Sequence, residues 1–383
     1  MQPLYFDTAA TTAVDPDVIE DMIDVLRNVP GNPSSTTHPQ GRDAAQHVEA
    51  ARATVAAELG CDTDEVIFTA GATEANNLAL RGIALGYRAQ GRHLVTSAIE
   101  HKAVLACCHG LESDGVETTY VKPSRGGWVT PESIVAALRP ETLMVSLMQT
   151  NNETGVMQPI DEVALAVAEA GVLFHVDAAQ GAGKFAIDLT RIPIDLLSLS
   201  AHKFYGPKGV GCLVVRDRRH VRLRPLMEGG RQEYGLRPGT LATHQIVGLS
   251  SALTRVAARR EQDLRLLGGL KQRFLQRLGK DLRVHINGDP ARTSPYILNI
   301  SFEGVPSDAL INQLADALAI GSGSACSSGA VEPSHVLRAM EVEEGTLYGA
   351  VRISFGRDHT ETEIDQAAAS VRQAIARIRA MGD

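Results

Sequence analysis

Short, nearly continuous apolar runs set the rhythm of the first two-thirds of the chain. Val66-Ile67-Phe68-Thr69 leads into Ala70-Gly71-Ala72-Thr73-Glu74, and a helical pattern follows to about Arg88. His93-Leu94-Val95-Thr96-Ser97 predicts a second strand, with a helix from Lys102. Leu143–Met148 and Val172–Val176 predict a third and a fourth, with a helix from Pro159 to Ala170 between them. Ile194-Asp195-Leu196-Leu197 reads as a further buried strand. These runs are apolar on both faces, as strands are when helices cover a sheet on both sides. Strands alternating with helices at this spacing predict an α/β domain with a mainly parallel sheet.

The pattern changes after residue 244. Residues 244–280 form one long helical stretch rich in Arg, Glu and Leu, interrupted at Gly268-Gly269. Strands near Val284–Ile286, Ile297–Ser301 and Val351–Phe355 follow, with helices near Ser307–Leu318, Ser334–Met340 and Glu361–Arg379. The expected division is a large domain over residues 15–260. A smaller α+β domain would hold residues 1–14 and 261–383, with a small-residue loop at about 321–333.

Composition narrows the class. The chain has 383 residues, 44% of them hydrophobic, enough for a sizeable core. A net charge of −8 argues against nucleic-acid binding, which calls for a basic face. No apolar run reaches the ~18 residues of a membrane span. Met1-Gln2-Pro3-Leu4-Tyr5-Phe6-Asp7 lacks the basic start and apolar core of a signal peptide. A soluble cytoplasmic protein is expected. The five cysteines are an odd number with no Cys-x-x-Cys pair, which argues against a disulfide framework or a zinc site. No metal is expected.

Chemistry concentrates at predicted strand ends, which in a parallel sheet face the ligand crevice. Ser198-Leu199-Ser200-Ala201-His202-Lys203 places a lysine after a strand, beside hydroxyls and a histidine. That setting suits an amine forming a Schiff base while its neighbours hold a phosphate. His175-Val176-Asp177-Ala178-Ala179-Gln180 ends another strand in a carboxylate, which a pyridine nitrogen requires. Gly71-Ala72-Thr73-Glu74 opens a helix whose N-terminus favours an anion, though such a sequence also reads as an ordinary cap. His101 can stack on a flat ring or move protons; a solvated loop histidine is the plainer reading. Asn151-Asn152-Glu153-Thr154-Gly155 offers amides to a ligand or simply makes a turn. Cys326 lies in the Gly/Ser-rich run Gly321–Ala330, where a thiol has access to substrate. Arg352, amid apolar residues, suits a carboxylate ligand or an internal salt bridge.

Together these segments resemble the NifS/IscS-type cysteine desulfurases, in the class V branch of fold-type I pyridoxal-phosphate enzymes. Further motifs carry the likeness: Tyr5-Phe6-Asp7-Thr8-Ala9-Ala10-Thr11-Thr12, Gly31-Asn32-Pro33-Ser34-Ser35, Arg237-Pro238-Gly239-Thr240 and Glu332-Pro333-Ser334-His335. The resemblance implies an aspartate aminotransferase-like fold and the conversion of L-cysteine to L-alanine. It implies that Lys203 binds the aldehyde of pyridoxal 5'-phosphate, Asp177 pairs with the pyridine nitrogen and Gln180 with the phenolic oxygen. His101 would stack on the ring. Ala72, Thr73, Ser200 and His202 would hold the phosphate, with Thr240 supplied by the other subunit of a homodimer. Asn32, Asn152 and Arg352 would hold the substrate. Cys326 would take the sulfur as a persulfide and pass it to an acceptor protein, in iron–sulfur cluster assembly or another thiolation pathway. Tyr234 stands where relatives often carry arginine, and is expected at the mouth of the site.

Overall fold

A computed structural model describes residues 3–322 and 333–382; Cys326 lies outside the described residues. In chain order the strands are β1 (Leu4–Tyr5), β2 (Val66–Thr69), β3 (His93–Ser97), β4 (Glu117–Val121), β5 (Thr142–Met148), β6 (Leu173–Asp177), β7 (Leu196–Ser200), β8 (Gly211–Val215), β9 (Val284–Ile286), β10 (Ile297–Phe302), β11 (Leu318–Ala319), β12 (Gly321–Ser322) and β13 (Ala350–Ser354). The helices are α1 (Pro16–Asn28), α2 (Pro39–Leu59), α3 (Ala72–Gly86), α4 (Lys102–Glu112), α5 (Pro131–Val135), α6 (Ile160–Glu169), α7 (Thr243–Leu278), α8 (Ser307–Leu314), α9 (His335–Ala339), α10 (Glu344–Leu347) and α11 (Glu361–Gly382).

The central sheet has seven strands in the order β2-β8-β7-β6-β5-β3-β4. Its β8 is antiparallel to both neighbours, and the other pairs are parallel. The predicted mainly parallel α/β sheet is therefore present. Alternate residues of each strand enter different cores. Phe68, Val95, Val145, Phe174 and Leu197 pack with apolar residues of α2, α6 and α7. Ile67, Leu94, Met144 and Leu196 pack with α3 and α4. Burial on both faces explains why the strands read as continuous apolar runs.

A second sheet, β12-β13-β10-β9, is antiparallel and shares a core with α8 and α11. Helix α7 serves both units: Ile246 to Val256 belong to the first core, and Leu267 to Leu278 to the second. It runs unbroken through Gly268-Gly269, where the sequence suggested an interruption. The lysine strand lies two residues later than expected, ending at Ser200. Ile192, Pro193 and Ile194 form the approach to it.

Residues 4–12 cross between the units. β1 pairs with β11, Phe6 enters the second core, and Thr12 Oγ1 donates to His202 O at 3.1 Å. The turn after β5 is gripped from the other side. Asn299 Nδ2 donates to Glu153 O at 3.1 Å, Ser294 N to Gly155 O at 2.8 Å, and Ser334 Oγ bonds the Glu153 carboxyl.

Candidate active site

The strand ends of β2, β3, β5, β6 and β7 open into one cavity of about 1190 Å³. Ten of the sequence candidates line it. They are Ala72, Thr73, His101, Asn152, Asp177, Gln180, Ser200, His202, Lys203 and Arg352. Asn32 and Thr240 are exposed and do not line it within this chain.

Lys203 Nζ donates to the carbonyls of Ala9 and Ala10 at 2.7 and 2.8 Å. Burial lowers its proton affinity to about 8, helped by the positive charge of Arg352; Asp7 and Asp177 oppose the shift. Asp177 closes β6 with its carboxylate held in place. Asn76 Nδ2 donates to Oδ2 at 2.7 Å, and the Ala179 amide donates to Oδ1 at 2.9 Å. Gln180 Nε2 donates to Ala9 O at 2.8 Å, while its buried Oε1 has no partner among the described residues.

Helix α3 begins at Ala72 after Gly71, and no side chain caps its first turn. Glu74 is turned aside, accepting from Ala70 N and Arg237 Nε at 2.6 and 3.0 Å. The helix therefore presents free N–H groups at its positive end, the arrangement that binds phosphate. Gly71 has φ 151° and lies against Ser200, whose Oγ would be 3.3 Å from a β-carbon there. His202 is kept neutral, its pKa pushed down to about 4 by burial and then by nearby lysines. A ring nitrogen, Nδ1, sits 3.2 Å from Thr11 Oγ1.

His101 caps α4, its Nδ1 accepting from Ala103 N at 3.1 Å. Burial lowers its pKa, with Asp177 opposing and Lys203 assisting. The side chain is thus held by its cap while remaining exposed to the open cavity. Arg352 makes the internal salt bridge, with Asp7, and also lines the cavity, where a ligand could reach it.

These groups suit a flat, phosphorylated pyridine. The uncapped helix end, the unpartnered Gln180 oxygen, the fixed carboxylate and the buried amine are the donor set such a group requires.

Sequence reasoning missed Asn76 and the carbonyls of Ala9 and Ala10. Asn76 carried a signal, as a fully buried amide on the apolar face of α3. A backbone carbonyl leaves no trace in residue type. Tyr234 does not line the main cavity; it lies under Arg218, 4.0 Å from ring centroid to guanidinium, beside the buried Arg52–Glu233 pair. The left-handed backbone at Glu233 and Tyr234 turns the ring there.

The chain matches the family Aminotransferase class-V over residues 4–367. It is 45% identical over 379 residues to Cysteine desulfurase IscS of Azotobacter vinelandii (strain DJ / ATCC BAA-1303), covering 98% of this chain and 94% of that protein. A solved NifS-like protein superposes with a TM-score of 0.92 at 35% identity, covering 98% of this chain and all of the other (100%). The structure titled SspA in complex with cysteine superposes with a TM-score of 0.82 at 36% identity, covering 92% of this chain and 98% of that one.

Proposed function

This chain belongs to the aminotransferase class-V family, among the cysteine desulfurases, and on that premise we propose how its residues act. It is a cysteine desulfurase, converting L-cysteine to L-alanine and releasing the sulfur to an acceptor. The family's enzymes use pyridoxal phosphate, and we assign that cofactor to the cavity described above. When bound, it supplies an aldehyde for an amine and an electron sink for charge developing at Cα.

The observation that carries the reading is the meeting of Lys203, Asp177, the uncapped α3 end and Arg352 in one cavity. Lys203 anchors the cofactor and, once released by substrate, moves the proton at Cα with its Nζ. Its lowered proton affinity keeps part of it neutral near pH 7. Asp177, fixed by Asn76, holds the proton of the pyridine nitrogen. His101 would lie against the ring, and Gln180 would have Oε1 available for the ring hydroxyl. Ala72, Thr73, Ser200 and His202 hold the phosphate. Arg352 and Asn152 orient the substrate, Arg352 through its α-carboxylate; Asn32, outside this chain's cavity, would reach a substrate only across a subunit boundary.

Cys326 takes the sulfur. The substrate Cβ–S bond breaks, an S–S bond forms on Cys326, and Cβ gains a proton to become the methyl group of alanine. The persulfide then passes to an acceptor protein of iron–sulfur assembly or another thiolation pathway. The exposure of Thr240 and Asn32 supports a homodimer in which one subunit's Thr240 completes its partner's phosphate site. Among the described residues no helix is long and apolar enough to cross a membrane.

The test follows alanine and sulfide together, with L-cysteine and a thiol reductant. Equal amounts of both are expected. Cys326→Ser should retain the cofactor's absorbance and release neither product; full turnover by that variant would overturn the persulfide route.

A further inference from the structure

Arg352 has an unusual set of partners. Its Nη2 donates to Asp7 Oδ1 at 2.7 Å, and its Nη1 to Asn152 O at 2.9 Å. Its Nε is buried and has no partner among the described residues. Gly321, paired with Arg352 across β12 and β13, lies against that free edge. A β-carbon at 321 would sit 3.0 Å from both Nε and Nη2, and 2.9 Å from Asp7 Oδ1. Glycine there keeps the Nε edge clear. Asp7 is itself fixed by its backbone. Its carbonyl accepts from Tyr5 Oη at 3.1 Å and from Ala10 N at 2.9 Å, and Ala9 N donates to Ser354 Oγ at 2.9 Å.

We propose that Asp7 is a positioning and affinity-setting residue for the substrate carboxylate: it holds Arg352 in the cavity and competes with the substrate for the guanidinium. The inference rests on the assignment of Arg352 to the α-carboxylate. A guanidinium has five N–H donors, so a second carboxylate joins without evicting the first. Two carboxylates on one guanidinium repel each other, however, so affinity is lower than for an arginine with no counter-ion. The pair is only partly screened, with side-chain exposures of 12% for Arg352 and 22% for Asp7. Asp7 thus does two separable things. Its oxygen places the arginine, and its charge weakens the arginine's hold on a second anion.

Two variants separate them. Asp7→Asn keeps an oxygen acceptor for Nη2 and removes the charge; Asp7→Ala removes both. The readout on the holoenzyme is competitive inhibition by 3-mercaptopropionate, which has a carboxylate and no amine, and by cysteamine, which has an amine and no carboxylate. Asp7→Asn should tighten 3-mercaptopropionate roughly fivefold or more, and should not tighten cysteamine. Asp7→Ala should weaken 3-mercaptopropionate. A merely structural role would shift both variants in the same direction. That result, an unchanged constant in Asp7→Asn, or equal tightening of both inhibitors, overturns the proposal. Arg352→Gln tests the underlying assignment by itself. It should weaken 3-mercaptopropionate and spare cysteamine; if the two inhibitors respond alike, the role of Arg352 is wrong, whatever Asp7 does.

Discussion

Lys203 meets two demands that oppose each other in water. In the role proposed for it, it has to be an amine rather than an ammonium while sitting among polar groups. Burial meets the first, lowering its pKa to about 8, and the Ala9 and Ala10 carbonyls meet the second. Relative to an ordinary lysine, roughly 300-fold more of it is neutral at pH 7. The rate at which apoprotein takes up pyridoxal phosphate should therefore rise with pH and level off above about 8. Stopped-flow absorbance would check this; a plateau deferred to the ordinary lysine range would refute it. Lys203→Ala should leave no cofactor covalently fixed after borohydride reduction, read by mass spectrometry. At this scale the sequence was legible where function resides in a side chain at a strand end. Lys203, Asp177, Gln180 and His101 line the cavity as expected. It was silent where function is a backbone atom, as at Ala9, or a supporting amide, as at Asn76.

Among the elements, α7 shows the limits of local signals. Two consecutive glycines suggest a break, yet 36 residues form one helix, because both ends are anchored in hydrophobic cores. A β-carbon at Gly268 or Gly269 would meet nothing within 4 Å, and neither residue has a positive φ. Each Gly→Ala change should therefore stabilise the fold by about 0.5–1 kcal/mol, seen as a higher urea midpoint with unchanged slope. Destabilisation would mean that the helix relies on flexibility there. Buried strands were read within three residues because covering helices make them apolar throughout. β4 escaped notice because its residues alternate between Glu, Thr and Tyr and are mostly half-exposed.

For the whole molecule, the proposed homodimer predicts that Thr240 acts across the subunit boundary. In the proposed homodimer, Thr240→Ala and Lys203→Ala should each cripple activity. Mixed after co-refolding, they should complement, because a hybrid holds one site with both residues intact. Random pairing gives about a quarter of wild-type activity. No recovery would place Thr240 outside its partner's site. A different constraint comes from the segment at residues 4–12. Asp7 meets Arg352 across 345 positions of chain, and Ala9 meets Lys203 across 194. During synthesis at ~5–20 residues per second, Asp7 waits roughly 20–70 s for its arginine. The Asp7–Arg352 pair thus cannot form on a nascent chain that has not yet delivered β13, whereas the Ala9 carbonyl can meet Lys203 once β7 has emerged. A nascent chain halted midway therefore lacks the arm proposed to grip the substrate's carboxylate, even where its lysine is already in place.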